Sequence, residues 1–331
     1  MSLKIIKPGI YDTVQDLGRH GFQQLGINPG GAMDAFMLQA ANLLAGNTPG
    51  EAVLEMSFPA PVILFEKPAI IVLSGADFCA TVNGEIVPLL QPIAVSKNSE
   101  LQFQQRRTGR WCYLAVQGGI QADQWLKSFS THVKVGSGGY KGRLLQKNDL
   151  LSYPTTQRIM NDSAEKAAKT LNWKSIPCGD DFYPDEIAIL PGNEWKHLNN
   201  ESKQVLEKES FVLTPSSDRM GYTFRGPSLS TETPFELVSS GVQFGTVQLL
   251  PNGQLIALMA DHQTTGGYPR IAHVIKAHRG KLAQMKEAAP VKFRMVDTAN
   301  AERLLLQQEQ HLVELNNACT FKWEQSPTIS F

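Results

Sequence analysis

Four stretches of the chain combine glycine with side chains able to hold or activate a small polar molecule. The first runs Gly9-Ile10-Tyr11-Asp12-Thr13-Val14-Gln15-Asp16-Leu17-Gly18-Arg19-His20-Gly21 and is followed by Gly30-Gly31-Ala32-Met33-Asp34. The second is Val116-Gln117-Gly118-Gly119-Ile120, and the third is Ser216-Ser217-Asp218-Arg219-Met220-Gly221-Tyr222. The fourth is Asp261-His262-Gln263-Thr264-Thr265-Gly266-Gly267-Tyr268-Pro269. Glycine lets a backbone approach a ligand or adopt positive φ, which exposes N–H donors. Arginine supplies a rigid fork for carboxylate or phosphate, and Gln and Thr orient an amide or carbonyl. Taken singly, each stretch reads first as a turn held by its own Asx-type hydrogen bonds. Four of them in one neutral chain point to a polar ligand site.

Stereotyped catalytic motifs are missing. Gly136-Ser137-Gly138-Gly139-Tyr140-Lys141-Gly142-Arg143 is rich in glycine but lacks the Gly-Lys-Ser/Thr end of a P-loop. There is no GxSxG elbow. His262, His273 and His278 cluster without metal-ligand spacing, so they read as satisfied core or surface histidines. Cys79, Cys112, Cys178 and Cys319 form no CxxC pair and read as small buried hydrophobes in a reducing compartment.

The elements that must position these stretches are mostly strands. Ile70–Leu73, Ala80–Val82, Ile86–Val87 and Ile93–Val95 are short β-branched runs, and Asn83-Gly84 is a hairpin signal between two of them. A second Asn-Gly, in Pro251-Asn252-Gly253-Gln254, joins Thr246–Leu250 to Leu255–Met259. Lys97-Asn98-Ser99-Glu100-Leu101 echoes Lys147-Asn148-Asp149-Leu150, each a turn feeding a strand. Helices are few. Met33 to Leu44 has helical spacing ended by Gly46, Asp162-Ser163-Ala164-Glu165 resembles a capping box opening a helix through Leu171, Glu201–Glu209 is a further candidate, and Asp297 or Thr298 caps a helix bearing Leu304, Leu305 and Leu312. The polar stretch from Pro154 to Tyr183 divides the chain into a β-rich domain over 1–154, a linker over 155–182 and a second β-rich domain over 183–331 that ends in a helix. The expected fold is mostly β, two tandem barrels with peripheral helices.

Length and charge agree with that division. A chain of 331 residues suggests two domains, and 31 Lys+Arg against 31 Asp+Glu gives no basic excess for nucleic acid or an anionic membrane. Met1 to Pro8 holds no signal-peptide h-region, and the longest apolar run, Ala69–Leu73, is too short to span a bilayer, so a soluble cytoplasmic protein is expected.

In their order along the chain, Thr13–Arg19, Gly30–Asp34, Gln117–Ile120, Ser217–Tyr222 and Gln263–Pro269 resemble the KipA, or allophanate-hydrolase-subunit-2, family, from about Gly9 to about Phe293. Its bacterial members are described as the C subunit of 5-oxoprolinase and also labelled biotin-dependent carboxyltransferases. The resemblance implies two cyclophilin-like β-barrels and two partners, a KipI-like B subunit with a LamB/YcsF-like A subunit. The assembly would open 5-oxo-L-proline to L-glutamate with ATP (Mg), and which of the three chains binds ATP is unassigned. Two alternatives come with the family. One is a carboxyltransferase moving CO₂ from carboxybiotin to urea or a similar amide, with biotin as cofactor. The other is a regulator that counteracts a KipI-like kinase inhibitor. A lactam site needs an anion anchor and donors for the lactam oxygen. Arg219 is the expected anchor, with Gln263, Thr264, Thr265, Gly266, Gly267 and Tyr268 around the reacting group. Asp261 is either a base or the cap of the Gln263 loop. Gln15, Asp16 and Arg19, with Gly118 and Gly119, form a second candidate set, and no metal-ligand set stands out. The chain departs from the family pattern at His278-Arg279-Gly280, where an acidic residue is usual after Ala277, and at Glu287-Ala288-Ala289-Pro290, where a Pro-Gly-Asp turn is usual.

Overall fold

The computed structural model describes residues 2–154, 168–175, 186–233, 237–326 and 328–329. In chain order the elements begin with β1 (Ser2–Lys7), β2 (Asp12–Gln15), α1 (Ala35–Ala45), β3 (Val53–Ser57), β4 (Val62–Phe65) and β5 (Ala69–Gly75). Next come β6 (Ala80–Val82), β7 (Glu85–Ile86), β8 (Ile93–Val95), β9 (Glu100–Phe103), β10 (Trp111–Val116), β11 (Leu150–Ser152) and β12 (Ala168–Thr170). The remainder holds β13 (Glu186–Pro191), α2 (Asn200–Lys208), β14 (Phe211–Leu213), β15 (Gly221–Arg225), β16 (Ser240–Gly241) and β17 (Thr246–Leu249). It closes with β18 (Leu255–Leu258), β19 (Thr265–Gly266), β20 (Arg270–Val274), α3 (Arg279–Ala283), β21 (Pro290–Met295) and α4 (Thr298–Gln325). Among the described residues no helix is long and apolar enough to cross a membrane.

The chain forms two compact units, Met1–Arg19 with Asp34–Pro177 and Gln310–Phe331, and His20–Met33 with Cys178–Glu309. This differs from a simple tandem division. Residues 20–33 join the C-terminal unit, and the second half of α4 joins the N-terminal one. The reason for the latter is packing: Trp323 Nε1 donates to Leu44 O at 3.1 Å, and its ring meets Trp173 edge-on at 5.0 Å. Ala168–Thr170, inside the stretch expected to be a linker and the end of a helix, is instead a strand paired with β8. The Asp162–Glu165 capping box lies outside the described residues, as do most of the linker and Cys178.

The N-terminal unit is two six-stranded sheets, ordered β11-β1-β4-β9-β6-β7 and β12-β8-β5-β10-β3-β2. Leu3, Ile5, Leu54, Ile63, Ile71, Leu73, Leu101, Cys112 and Leu114 fill the core between them. Here the expected barrel takes the form of two sheets around one core, with the β2 edge covered. On the β2 edge, Thr131 N donates to Val14 O and Leu145 N to Asp12 O, so loop backbone takes the place of a neighbouring strand. All of β10 is buried because α1 covers the face that would otherwise meet water. The α1 helix begins at Asp34, whose side chain accepts from Met37 N, and ends at Gly46 with φ 76°. The Asn98 and Asn148 turns both adopt left-handed φ, 62° and 69°, before β9 and β11. Cys79, Cys112 and Cys319 are buried, and burial pushes the Cys112 thiol up.

In the C-terminal unit seven strands close into a barrel, β13-β20-β17-β18-β15-β14-β21, with β13 and β21 parallel. Phe211, Phe224 and Phe293 pack together in its core, Phe293 lying 5.7 Å from the Phe211 ring and 5.5 Å from that of Phe224. The two Asn-Gly hairpins differ. Asn83 and Gly84 both have positive φ, whereas at Pro251-Asn252-Gly253 only the glycine does, at 80°. Proline fixes Pro251 at negative φ, so this turn bonds Gly253 N to Leu250 O and takes its left-handed residue one place later. Asp297 caps α4, its Oδ1 accepting from Asn300 N at 2.8 Å.

Candidate functional site

In the C-terminal unit, Ser217–Tyr222 is a turn running into β15. Asp218 Oδ1 accepts from Met220 N at 2.7 Å and Gly221 N at 3.3 Å, and Ser217 Oγ accepts from Thr223 N at 3.0 Å. These local bonds turn Arg219 inward, where it is 3% exposed. Its Nε and Nη2 donate to the two oxygens of Asp261 at 2.8 and 3.0 Å, and Nη2 also donates to Gly31 O at 2.7 Å. Asp261 N donates to Arg219 O at 2.8 Å, so the two loops are tied twice. A guanidinium matched by a bidentate carboxylate is a strut rather than an open anion anchor. Asp261, expected as a base or as the cap of the Gln263 loop, has both oxygens on Arg219.

The segment expected around the reacting group leaves this pair as a short ribbon. Thr265 and Gly266 form β19 against β16, and Thr264 O accepts from Val242 N. Gln263, Thr265, Gly267 and Tyr268 are exposed, with Thr264 half-buried. A Cβ on Gly266 would lie 2.5 Å from Gln248 Nε2, which donates to Tyr268 O at 3.4 Å. Glycine here serves the close approach of a buried amide.

A second, partly buried ion pair flanks the ribbon. Arg270 donates through Nε and Nη2 to Glu194 at 2.9 and 2.8 Å, and its backbone N reaches the same carboxylate at 2.8 Å. Those hydrogen bonds hold the Glu194 carboxyl below its usual range. His262 is buried with Nδ1 against Gln263 O, and His273 Nδ1 lies 3.3 Å from Thr246 Oγ1. Burial holds both imidazoles below their ordinary range, and the charge of Arg279 adds to that effect on each. His278 accepts from Ala188 N at 2.9 Å, and burial, then Lys281 and Arg294, push it down to about 4. Arg279 lies over the Phe244 ring at 5.3 Å.

In the N-terminal unit, Gln15, Asp16 and Arg19 do converge, on the loop 128–131. Asp16 accepts from Gly18 N at 2.8 Å, Ser128 Oγ at 2.6 Å, Phe129 N at 2.6 Å and Ser130 Oγ at 2.5 Å. Arg19 is 1% exposed, donates to Ser130 O and lies 4.8 Å over the Trp125 ring. Gln15 donates to Thr13 Oγ1 at 3.0 Å and to Thr131 O at 3.4 Å, while its Oε1 is enclosed without a partner among the described residues. Gly118 and Gly119 do not join this cluster. They form the turn after β10, with Gly118 N on Asn47 Oδ1 at 2.7 Å and φ of 85° and 76°.

The residues do not fit a nucleotide phosphate. In Gly136–Arg143, a Cβ on Gly142 would lie 2.0 Å from Gly136 C, and one on Gly138 would lie 2.4 Å from Ser130 O, so the loop is filled by its own backbone. Among the described residues no group of three His, Cys, Asp or Glu side chains is placed to hold a metal ion.

Residues 25–295 match the family model described as "Carboxyltransferase domain, subdomain A and B". The chain belongs to this carboxyltransferase-domain family. It is 38% identical over 309 residues to the C subunit of 5-oxoprolinase from Escherichia coli (strain K12), spanning 93% of this chain and 95% of that one. The C subunit of 5-oxoprolinase from Haemophilus influenzae is 35% identical, over 92% and 94% of the two chains. The urea amidolyase of Saccharomyces cerevisiae is 30% identical over 60% of this chain and only 12% of its own length. In fold, the chain resembles the K. lactis urea amidolyase structure, with a TM-score of 0.85 and 22% identity, covering 95% of this chain and 20% of that one.

Within this carboxyltransferase-family chain, one buried polar row takes only Thr13 from the glycine-rich motifs. Thr13, Glu55, Tyr113 and Ser74 lie side by side in cross-strand register on β2, β3, β10 and β5, all fully buried. Tyr113 donates to Glu55 and accepts from Asp34 N at 2.7 Å, and Ser74 Oγ donates to Met37 O at 2.7 Å. Burial, then the charges of Glu55 and Asp34, hold the Tyr113 hydroxyl protonated. The signal in the sequence is a glutamate and a tyrosine inside runs too apolar to be surface strands.

Proposed function

We propose that the chain acts as the C subunit of an ATP-dependent 5-oxoprolinase, with a KipI-like B subunit plus a LamB/YcsF-like A subunit, hydrolysing 5-oxo-L-proline to L-glutamate. One observation carries this reading: its likeness to two proteins named as that C subunit runs nearly end to end in both members of each pair, 93% against 95% and 92% against 94%. Amide resonance makes the lactam carbonyl a poor electrophile, and phosphorylation of its oxygen would create a leaving group. The glycine-rich loop here is closed on itself, so ATP is assigned to one of the partners and no step of its chemistry to this chain. The chain's part is to help hold a small polar anion, and it is inactive alone. Buried, unbridged Cys79, Cys112 and Cys319 suit a reducing, cytoplasmic setting.

The test combines the three proteins with Mg·ATP and 5-oxoproline and measures glutamate. Glutamate is expected only when all three are present, and its absence from the full mixture sinks the reading. A second reading, carboxyl transfer from carboxybiotin to a urea-like amide, is favoured by the family description and by the yeast relative named urea amidolyase. Carboxylation of urea by the chain with a carboxybiotin donor would support it.

A further inference from the structure

Of three arginines in the C-terminal unit, Arg219, Arg270 and Arg279, two have a carboxylate partner among the described residues. Asp261 is taken by Arg219, and Glu194 by Arg270, each through two oxygens. Arg279 is left with no acidic partner among the described residues. Its Nε is enclosed without an acceptor among them, 3.3 Å from where a Cβ on Gly245 would lie, while the residue as a whole stays partly exposed. Burial, with no compensating anion, draws its guanidinium down to about 10, so it is still a cation at neutral pH. Thr246 Oγ1 accepts from Gln243 N at 3.2 Å and lies 3.3 Å from His273 Nδ1.

We propose that Arg279, seated on Phe244 with its Nε enclosed beside Gly245, is the carboxylate-binding group of the C-terminal unit. A guanidinium fork held on an aromatic ring matches the two oxygens of a carboxylate. Arg279 brings one positive charge with no carboxylate on it among the described residues, so a singly charged carboxylate balances it and a phosphate dianion does not. It stands on this geometry; that its ligand is 5-oxoproline rests on the 5-oxoprolinase reading. The anion anchor thereby moves from Arg219, whose charge is spent on Asp261, to a residue outside every glycine-rich segment.

Binding to the full chain tests it, with 5-oxo-L-proline, the neutral lactam 2-pyrrolidinone and inorganic phosphate as probes, on wild type, Arg279→Leu and Arg279→Lys. The expected result is at least ten-fold weaker binding of 5-oxoproline to Arg279→Leu, a smaller loss in Arg279→Lys, and no change for 2-pyrrolidinone. Leucine suits the Phe244 face, so the melting temperature of Arg279→Leu checks that the fold survives. Equal binding of 5-oxoproline to wild type and Arg279→Leu, or none to wild type, overturns the proposal. Phosphate binding in preference to 5-oxoproline overturns the carboxylate assignment. In the assembled system, glutamate formation by Arg279→Leu with an unchanged KM for 5-oxoproline overturns the site but keeps the function. Loss of direct carboxylate binding in Arg279→Leu, with no glutamate even from wild type, keeps the site and removes the function.

Discussion

Arg219 and Arg279 sit in the same barrel unit, both largely removed from water, and do opposite things. Arg219 has its charge cancelled by Asp261 at 2.8 Å and a carbonyl on the same nitrogen edge. Arg279 has an aromatic ring for a neighbour and no carboxylate among the described residues. The first is a finished interaction that ties two loops together. The second is an unfinished one, and an unfinished buried charge is where a ligand has something to add.

The comparison breaks most readily at Asp261. Asp261→Ala would leave the Arg219 guanidinium buried without its anion, a loss of about 3–5 kcal/mol of stability. Urea denaturation of the full chain measures it, and the double change Arg219→Met with Asp261→Leu should recover most of the loss. Arg279→Leu should cost little or raise stability in the same experiment. Equal losses at the two arginines would erase the distinction drawn between them.

A pH titration sharpens the same contrast between spent and unspent charge. His278 is pushed down to about 4 by burial, below its usual 6.5. Between those values the unfolded chain binds the proton that the folded chain refuses, so this histidine destabilises the fold as pH falls from about 6.5 to about 4. The full shift corresponds to a contribution on the order of 3 kcal/mol. Asparagine offers Ala188 N a similar acceptor, so His278→Asn should flatten the fall in urea midpoint between pH 7 and pH 4.5. An unchanged fall would show that His278 is not held neutral.

What is legible in the sequence follows from range. Local signals hold: the Gly46 stop of α1, the Asp297 cap of α4, and the Asn98 and Asn148 turns all depend on residues within a few places of each other. Arg219 and Asp261 are each visible, but 42 residues separate them, and nothing local says that one cancels the other. Asn252-Gly253 has the look of a mirror-image turn, yet Pro251 forbids it. The second half of α4 joins the N-terminal unit without warning, because a polar helix with two buried residues, Cys319 and Trp323, carries almost no pattern to say which core it meets. Glu55 and Tyr113 meet through strand register, which no single run of sequence encodes.

That buried row gives a smaller effect. Tyr113→Phe keeps the ring but takes the acceptor from Asp34 N and the donor from Glu55, a loss of about 1–3 kcal/mol. Thermal unfolding checks it, with Ser74→Ala as a milder companion that removes the hydroxyl bond to Met37 O. If Tyr113→Phe were neutral, the row would not be holding the start of α1.

The smallest effect is expected where the geometry looks the same but the setting does not. Arg143 grips Asp149 with two bonds of 2.7 and 2.9 Å, as good a fork as the one between Arg219 and Asp261. Its side chain is 31% exposed, against 3% for Arg219. Water reaches the Arg143 guanidinium even while it is paired, and Asp149 keeps the Gln146 N–H at 2.7 Å when the arginine goes. Arg143→Gln should therefore cost about 0–1 kcal/mol, less in high salt. Urea midpoints at low and high ionic strength measure it. A loss as large as that of Asp261→Ala would mean that fork geometry, rather than burial, sets the worth of these pairs, and the case for Arg279 as an open site would lose its physical ground.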